Sequence, residues 1–190
     1  VAYRSDQLKG HGELDSIVSR ESAFLLNNLI LMGICFTVLL GTIFPLLTEA
    51  IRGTKISVGT PYFNRVSAPL GMILLLLMGI GPLIAWGRAS LNNLKRNFLK
   101  PTLGALVSTG ILYALGVHQA EVLAAFFFCF FVLGTVVFEF VVATRTRAKT
   151  MGERFLPAFA TLLLKSRRRY GGLIVHVGVV IAIIGITVSS

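Results

Sequence analysis

The amino-acid sequence predicts an all-α polytopic membrane protein with about five spanning helices, and three observations carry that prediction. Of 190 residues, 55% are hydrophobic and 14% charged, with a mean hydropathy of +0.81, far outside the range of a soluble domain. The apolar residues gather into stretches long enough to cross about 30 Å of hydrocarbon at 1.5 Å per helical residue. Lys and Arg are unevenly shared between the connections: fifteen of the eighteen fall on one side once the stretches alternate across a bilayer. In a chain this apolar, the net charge of +10 is a topology signal and not a nucleic-acid footprint.

Residues 1–22 form a polar N-terminal segment carrying Arg4, Lys9 and Arg20, with neither an initiator Met nor a signal peptide. It reads as the start of a piece from a longer chain. The bundle then occupies residues 23–189. A first span is expected over 24–48, followed by an outer loop at 52–66, RGTKISVGTPYFNRV, rich in turn formers. A second span covers 67–86, and the connection after it holds Arg88, Lys95, Arg96 and Lys100. The third, 101–117, is the shortest and holds several Gly, Ser and Thr residues. A tight turn, VHQAE, leads to a fourth span over 121–143.

A basic connection at 144–171 carries eight cations. Within it FLPAFATLLLK (155–165) is too short to cross and should lie along the interface, with Pro157 in its first turn. The fifth span is 172–189. The positive-inside rule then sets the N-terminus in the cytoplasm or its organellar equivalent and the C-terminus outside.

His176 is the only ionisable side chain in the last span. At 100° per residue it shares a face with Gly172, Val180, Ile183 and Thr187, while Gly178, Ala182, Gly185 and Ser189 form a small-residue stripe opposite. That stripe is expected to pack on a neighbouring helix. The residues alone leave two roles for His176: a hydrogen bond to another helix, or an axial ligand to haem iron in an apolar slot.

His11 and His118 fall in watery segments, where solvated roles are expected. Glu139 lies one turn above the basic boundary and should form an ion pair, for example with Arg88 or Arg145, a proton relay being the sharper alternative. Glu49 and Glu121 close helix ends at the interface. Cys35 and Cys129 sit in apolar runs without ligand spacing. In the outer loop, Lys55, Pro61, Tyr62, Phe63 and Asn64 form either an interface belt or a partner-facing surface. No paired carboxylates, Ser/His/Asp set or phosphate-cradling glycine loop is present, so hydrolytic and NTPase readings have no support. A segment of a multi-pass transporter and a structural assembly subunit are the competing classes.

In order and spacing, SRESAFLLNN (19–28), LGTIFPLL (40–47), KISVGTPYFN (55–64), LLLLMGIGPLIAWGR (74–88) and HVGVVIAIIGITVSS (176–190) resemble the CcmF family, the membrane subunit of the System I cytochrome c haem lyase. The resemblance implies haem handling on the outer face. Haem comes from a haem chaperone and is attached to apocytochrome c, with other cytochrome c maturation subunits as partners, in a bacterial cytoplasmic or an organellar inner membrane. It also implies an intramembrane b-type haem whose later histidine ligand matches His176, the opposing ligand lying outside this chain. The family's tryptophan-rich WWD segment, which holds the substrate haem, has no match here; Trp86 is the only Trp. The resemblance therefore assigns no catalytic residue, and this chain alone is expected to be inactive.

Overall fold

The computed structural model describes residues 20–83 and 91–189, with side chains described for 22–83 and 97–189. His11, Trp86, Arg88 and most of the N-terminal segment lie outside the described residues. Helices α1 (Arg20–Arg52), α2 (Thr60–Ile80), α3 (Leu91–Ala114), α4 (Ala120–Met151), α5 (Phe155–Lys165) and α6 (Arg167–Ser189) follow one another, with one 3-10 turn at Gly81–Leu83. The described residues contain no strand. This is an all-α polytopic membrane architecture.

By length and apolarity four helices qualify to cross a bilayer: Ser22–Arg52, Thr60–Leu83, Ala120–Met151 and Arg167–Ser189. The third expected span is the exception. It overlaps α3, which starts ten residues earlier, at Leu91, and stops at Ala114, three residues short of the expected end. Its first turns, LNNLKRN, and Lys100 dilute its hydropathy, so it is not among the four. Pairing with α4 supplies the packing instead. Gly134 of α4 lets Pro101 approach so closely that a β-carbon there would lie 3.3 Å from the Pro101 Cα.

α4 is the hub of the bundle, packing against α2, α3, α5 and α6, whereas α1 packs chiefly on α2. The core runs along α4 through Cys129, Val132 and Val136, with Leu75 of α2, Leu162 of α5 and Tyr170, Leu173 and Val180 of α6 around them. Val132 and Val180 are fully covered. Gly79 brings α2 in: a β-carbon there would sit 2.7 Å from the Phe131 ring and 3.4 Å from Val132.

Two helix limits differ from the sequence expectation for a clear reason. Within the interval 52–66 the chain is already helical from Thr60, because Pro61 occupies the first turn, where its missing N–H is no loss, and Gly59 before it is extended. At the other boundary α4 continues through TRTRAK to Met151. Unbranched Lys and Arg favour helix, and Gly152, at φ 66°, closes it in the left-handed conformation. α5 keeps the bounds 155–165 expected for the short apolar helix. Several hydroxyls along the helices donate back to carbonyls three or four residues earlier, as at Thr42 to Val38 and Thr135 to Val132.

Candidate functional site

His176 lies on α6 at the edge of the surface that meets the core. Tyr170, Leu173 and Val180 are buried and Val177, Ile183 and Ile184 are partly so, at the three- and four-residue spacing of one helical face. The imidazole is half-buried. Its Nδ1 is buried with no hydrogen-bond partner among the described residues. One turn earlier, Gly172 leaves open space on the same side, with no atom within 4 Å of where its β-carbon would be.

The small-residue stripe behaves differently from expectation. Gly178, Ala182, Gly185 and Ser189 are all exposed, and nothing lies within 4 Å of a β-carbon at Gly178 or Gly185. α6 instead seats its bulky face on α4, whose side chains there leave room for Leu and Val to interdigitate. Consequently His176 is drawn against protein.

The basic end of α6 is pinned to α4. Arg169 pairs with Glu139, whose side chain is 16% exposed against 67% for the arginine. This replaces the partners considered from sequence: Arg145 is exposed one turn and a half further on and forms no such pair, and Arg88 lies outside the described residues. Beside the pair, Phe140 stacks on Tyr170 with centroids 5.3 Å apart and meets Phe159 of α5 edge-on at 5.7 Å. The Arg169 guanidinium lies 5.8 Å from the Tyr170 ring centroid. Three helices therefore meet in one aromatic knot, and His176 stands two turns, about 10 Å, beyond it along α6.

That placement decides which histidines can cooperate. His118 sits exposed in the turn before α4, edge-on to Tyr113 with centroids 4.8 Å apart. Measured along α4 it is about 20 Å further from the basic end than His176. His118 therefore cannot share an iron with His176. No cluster of three or more His, Cys, Asp or Glu suited to a metal occurs among the described residues. A half-buried imidazole with aliphatic neighbours and a glycine one turn away fits one side of a haem.

Between α1 and α2 the structure joins two of the sequence motifs. Gly41 of LGTIF faces the aromatic pair of TPYFN: a β-carbon there would lie 2.6 Å from the Phe63 ring and 3.0 Å from that of Tyr62. The Tyr62 hydroxyl donates to the Thr37 carbonyl at 3.4 Å. Thr48 accepts from the Ile56 N–H at 3.1 Å and holds the connecting strand of backbone to α1. Of the five outer-loop candidates, Lys55, Pro61 and Asn64 are exposed, while Tyr62 and Phe63 are half-buried against α1. Sequence reasoning missed Gly41 and Gly79 as contact points; both stand beside bulky residues in otherwise apolar helices, the signal that marks a close approach.

No family model matches the chain. Curated relatives do, over nearly its whole length. It is 35% identical to the cytochrome c-type biogenesis protein CycK of Bradyrhizobium diazoefficiens, over 100% of this chain and 28% of that protein. It is 34% identical to the cytochrome c-type biogenesis protein CcmF of Pseudomonas aeruginosa, over 90% of this chain and 25% of that protein. A solved structure titled cytochrome c heme lyase CcmF superposes with a TM-score of 0.65 at 32% identity, over 90% of this chain and 25% of that one. The chain belongs to the CcmF/CycK family. It spans about a quarter of the length of the CcmF and CycK relatives it matches. Within the CcmF/CycK frame, HVG and the LGTIF–PYFN clasp belong to the matched part, as do the α4 hub and its contacts.

Proposed function

We propose that this chain is the portion of a cytochrome c haem lyase that contributes His176 as one axial ligand of an intramembrane b-type haem, together with part of the outer vestibule. The observation that carries the proposal is the half-buried imidazole of His176 on the apolar face of α6, among Val177, Val180 and Ile183. A polar nitrogen in that setting is costly unless something engages the ring. The family relationship favours iron as what engages it.

The chain's own residues have definite tasks in this reading. His176 offers a ring nitrogen at mid-helix; Val180 and Ile183 keep water from it, and Gly172 leaves space for a flat ligand one turn away. A b-type haem held there by His176 would supply a one-electron couple inside the membrane. The Glu139–Arg169 pair and the aromatic knot fix the depth and rotation of α6, and so of the imidazole. Cytochrome c maturation is the process served. Lys55, Pro61 and Asn64 form the exposed part of an outer surface suited to a haem chaperone, apocytochrome c or another maturation subunit. The basic ends of α4 and α6 face the cytoplasm of a bacterium, or the organellar equivalent, and the connection at 53–59 faces outward.

The test uses the full-length protein. His176→Ala should remove the b-haem signal from its reduced pyridine haemochrome spectrum while the protein still inserts and purifies. Unchanged b-haem content would overturn the ligand role and leave a hydrogen bond to another helix as the explanation of His176.

A further inference from the structure

We propose that α5, with the basic ends of α4 and α6, forms a binding site for the headgroup of an anionic phospholipid. This site is independent of the haem assignment. α5 has 11 residues, about 16 Å of helix, half of what a bilayer requires. One side of it is committed to the bundle through Ala158 and Leu162, which are 0% and 8% exposed. The other side is apolar and open: Leu156 is 76% exposed and Leu164 64%, with exposed Ala160 between them at four-residue spacing. The contact of Phe159 with Phe140 sets this helix where the apolar part of α4 gives way to its basic end.

Charge identifies the occupant. Residues 144–171 hold eight cations and one carboxylate. Arg147 takes that carboxylate, Glu153, at 3.3 Å, and Arg169 takes Glu139. Arg145, Lys149, Arg154, Lys165, Arg167 and Arg168 are exposed and form no ion pair among the described residues. An exposed apolar stripe continuous with six uncompensated cations, at the level where hydrocarbon ends, matches a molecule with acyl chains and a phosphate. An acidic protein segment would satisfy the cations and leave the Leu156–Leu164 stripe uncovered. A zwitterionic lipid would cover the stripe and leave the cations without net neutralisation.

Each Lys or Arg near an anionic surface raises affinity by about fivefold, so two removed cations should weaken retention by about 25-fold. The experiment adds phosphatidylglycerol or phosphatidylcholine to the delipidated full-length protein in detergent and reads bound lipid by native mass spectrometry. Phosphatidylglycerol should be retained at least tenfold better than phosphatidylcholine. Arg154→Gln with Lys165→Gln should remove most of that preference, and phosphatidylcholine retention should stay as it was. Lys149→Gln with Lys165→Gln, which leaves the helix start untouched, should act the same way if the first pair impairs folding. Equal retention of the two lipids by the unaltered protein would overturn the proposal, as would variants that keep the full preference. A cross-link from Lys165 to an acidic segment of the same protein that persists when phosphatidylglycerol is added would overturn it too.

Discussion

Removing the two partners of the Glu139–Arg169 pair one at a time should have unequal effects. At about 4 Å and an effective dielectric of about 20, the pair attracts by about 4 kcal/mol. Desolvating the carboxylate and ordering a long arginine offset most of this, leaving about 1–2 kcal/mol. Glu139 is 16% exposed and Arg169 67%. Glu139→Gln therefore frees an arginine that water and headgroups already reach, and should cost about 1 kcal/mol. Arg169→Gln strands a largely buried carboxylate and removes the cation beside the Tyr170 ring; it should cost about 3 kcal/mol. The double variant should come close to Glu139→Gln alone, because it leaves no stranded charge. Denaturant unfolding of the full-length protein in mild detergent, followed by far-UV circular dichroism, measures the four species. Equal losses from the two single variants, or a double variant as unstable as Arg169→Gln, would refute the reasoning.

Other perturbations test the packing and the orientation. Gly79→Ala drives a methyl into the Phe131 ring, which is itself 3% exposed, and should cost about 1–3 kcal/mol in the same unfolding assay, whereas Gly104→Ala, with nothing within 4 Å, should be neutral or slightly stabilising. Gly41→Ala meets the Phe63 ring and should destabilise more than Tyr62→Phe, which removes only a long 3.4 Å hydrogen bond; cysteine accessibility at Asn64 reports the loosening. Reporter domains active only outside the membrane should be active when fused after Gly53 and silent after Gly152, and the reverse pattern would invert the orientation.

Much of this fold is written locally. Long apolar runs force helices, because a lipid-exposed backbone has no other way to satisfy its own polar groups, and four of the five expected spans correspond to helices that qualify to cross. The short helix 155–165 is equally plain, framed by Arg154 and Lys165 with Pro157 in its first turn. What stayed hidden depends on partners. Pro61 carries the same signal whether it turns a loop or opens a helix, and the packing of Tyr62 and Phe63 against Gly41 is a contact that its local sequence does not show. The small-residue stripe of α6 satisfied a sound rule for helix contact, yet the bulky face found a complementary surface on α4. Glu139 plainly needed a cation, but choosing among nearby arginines required knowing that α6 returns to the level of that residue. His176 was visible as an oddity from its own helix; its unpaired nitrogen needed the neighbouring helix to be in place.

The hub position of α4 has a consequence for how the protein is made. Gly79 and Phe131, which close the contact between α2 and α4, lie about 50 residues apart, and ribosomes add about 5–20 residues per second. The face of α2 bearing Leu75 and Gly79 therefore leaves the insertion machinery some 3–10 s before its partner exists. During that interval α1 is already at hand, clasping α2 at the opposite end through Tyr62 and Phe63. The α1–α2 clasp accordingly forms before the α2–α4 contact can, and docking of α2, α3, α5 and α6 on α4 waits on synthesis of that one helix.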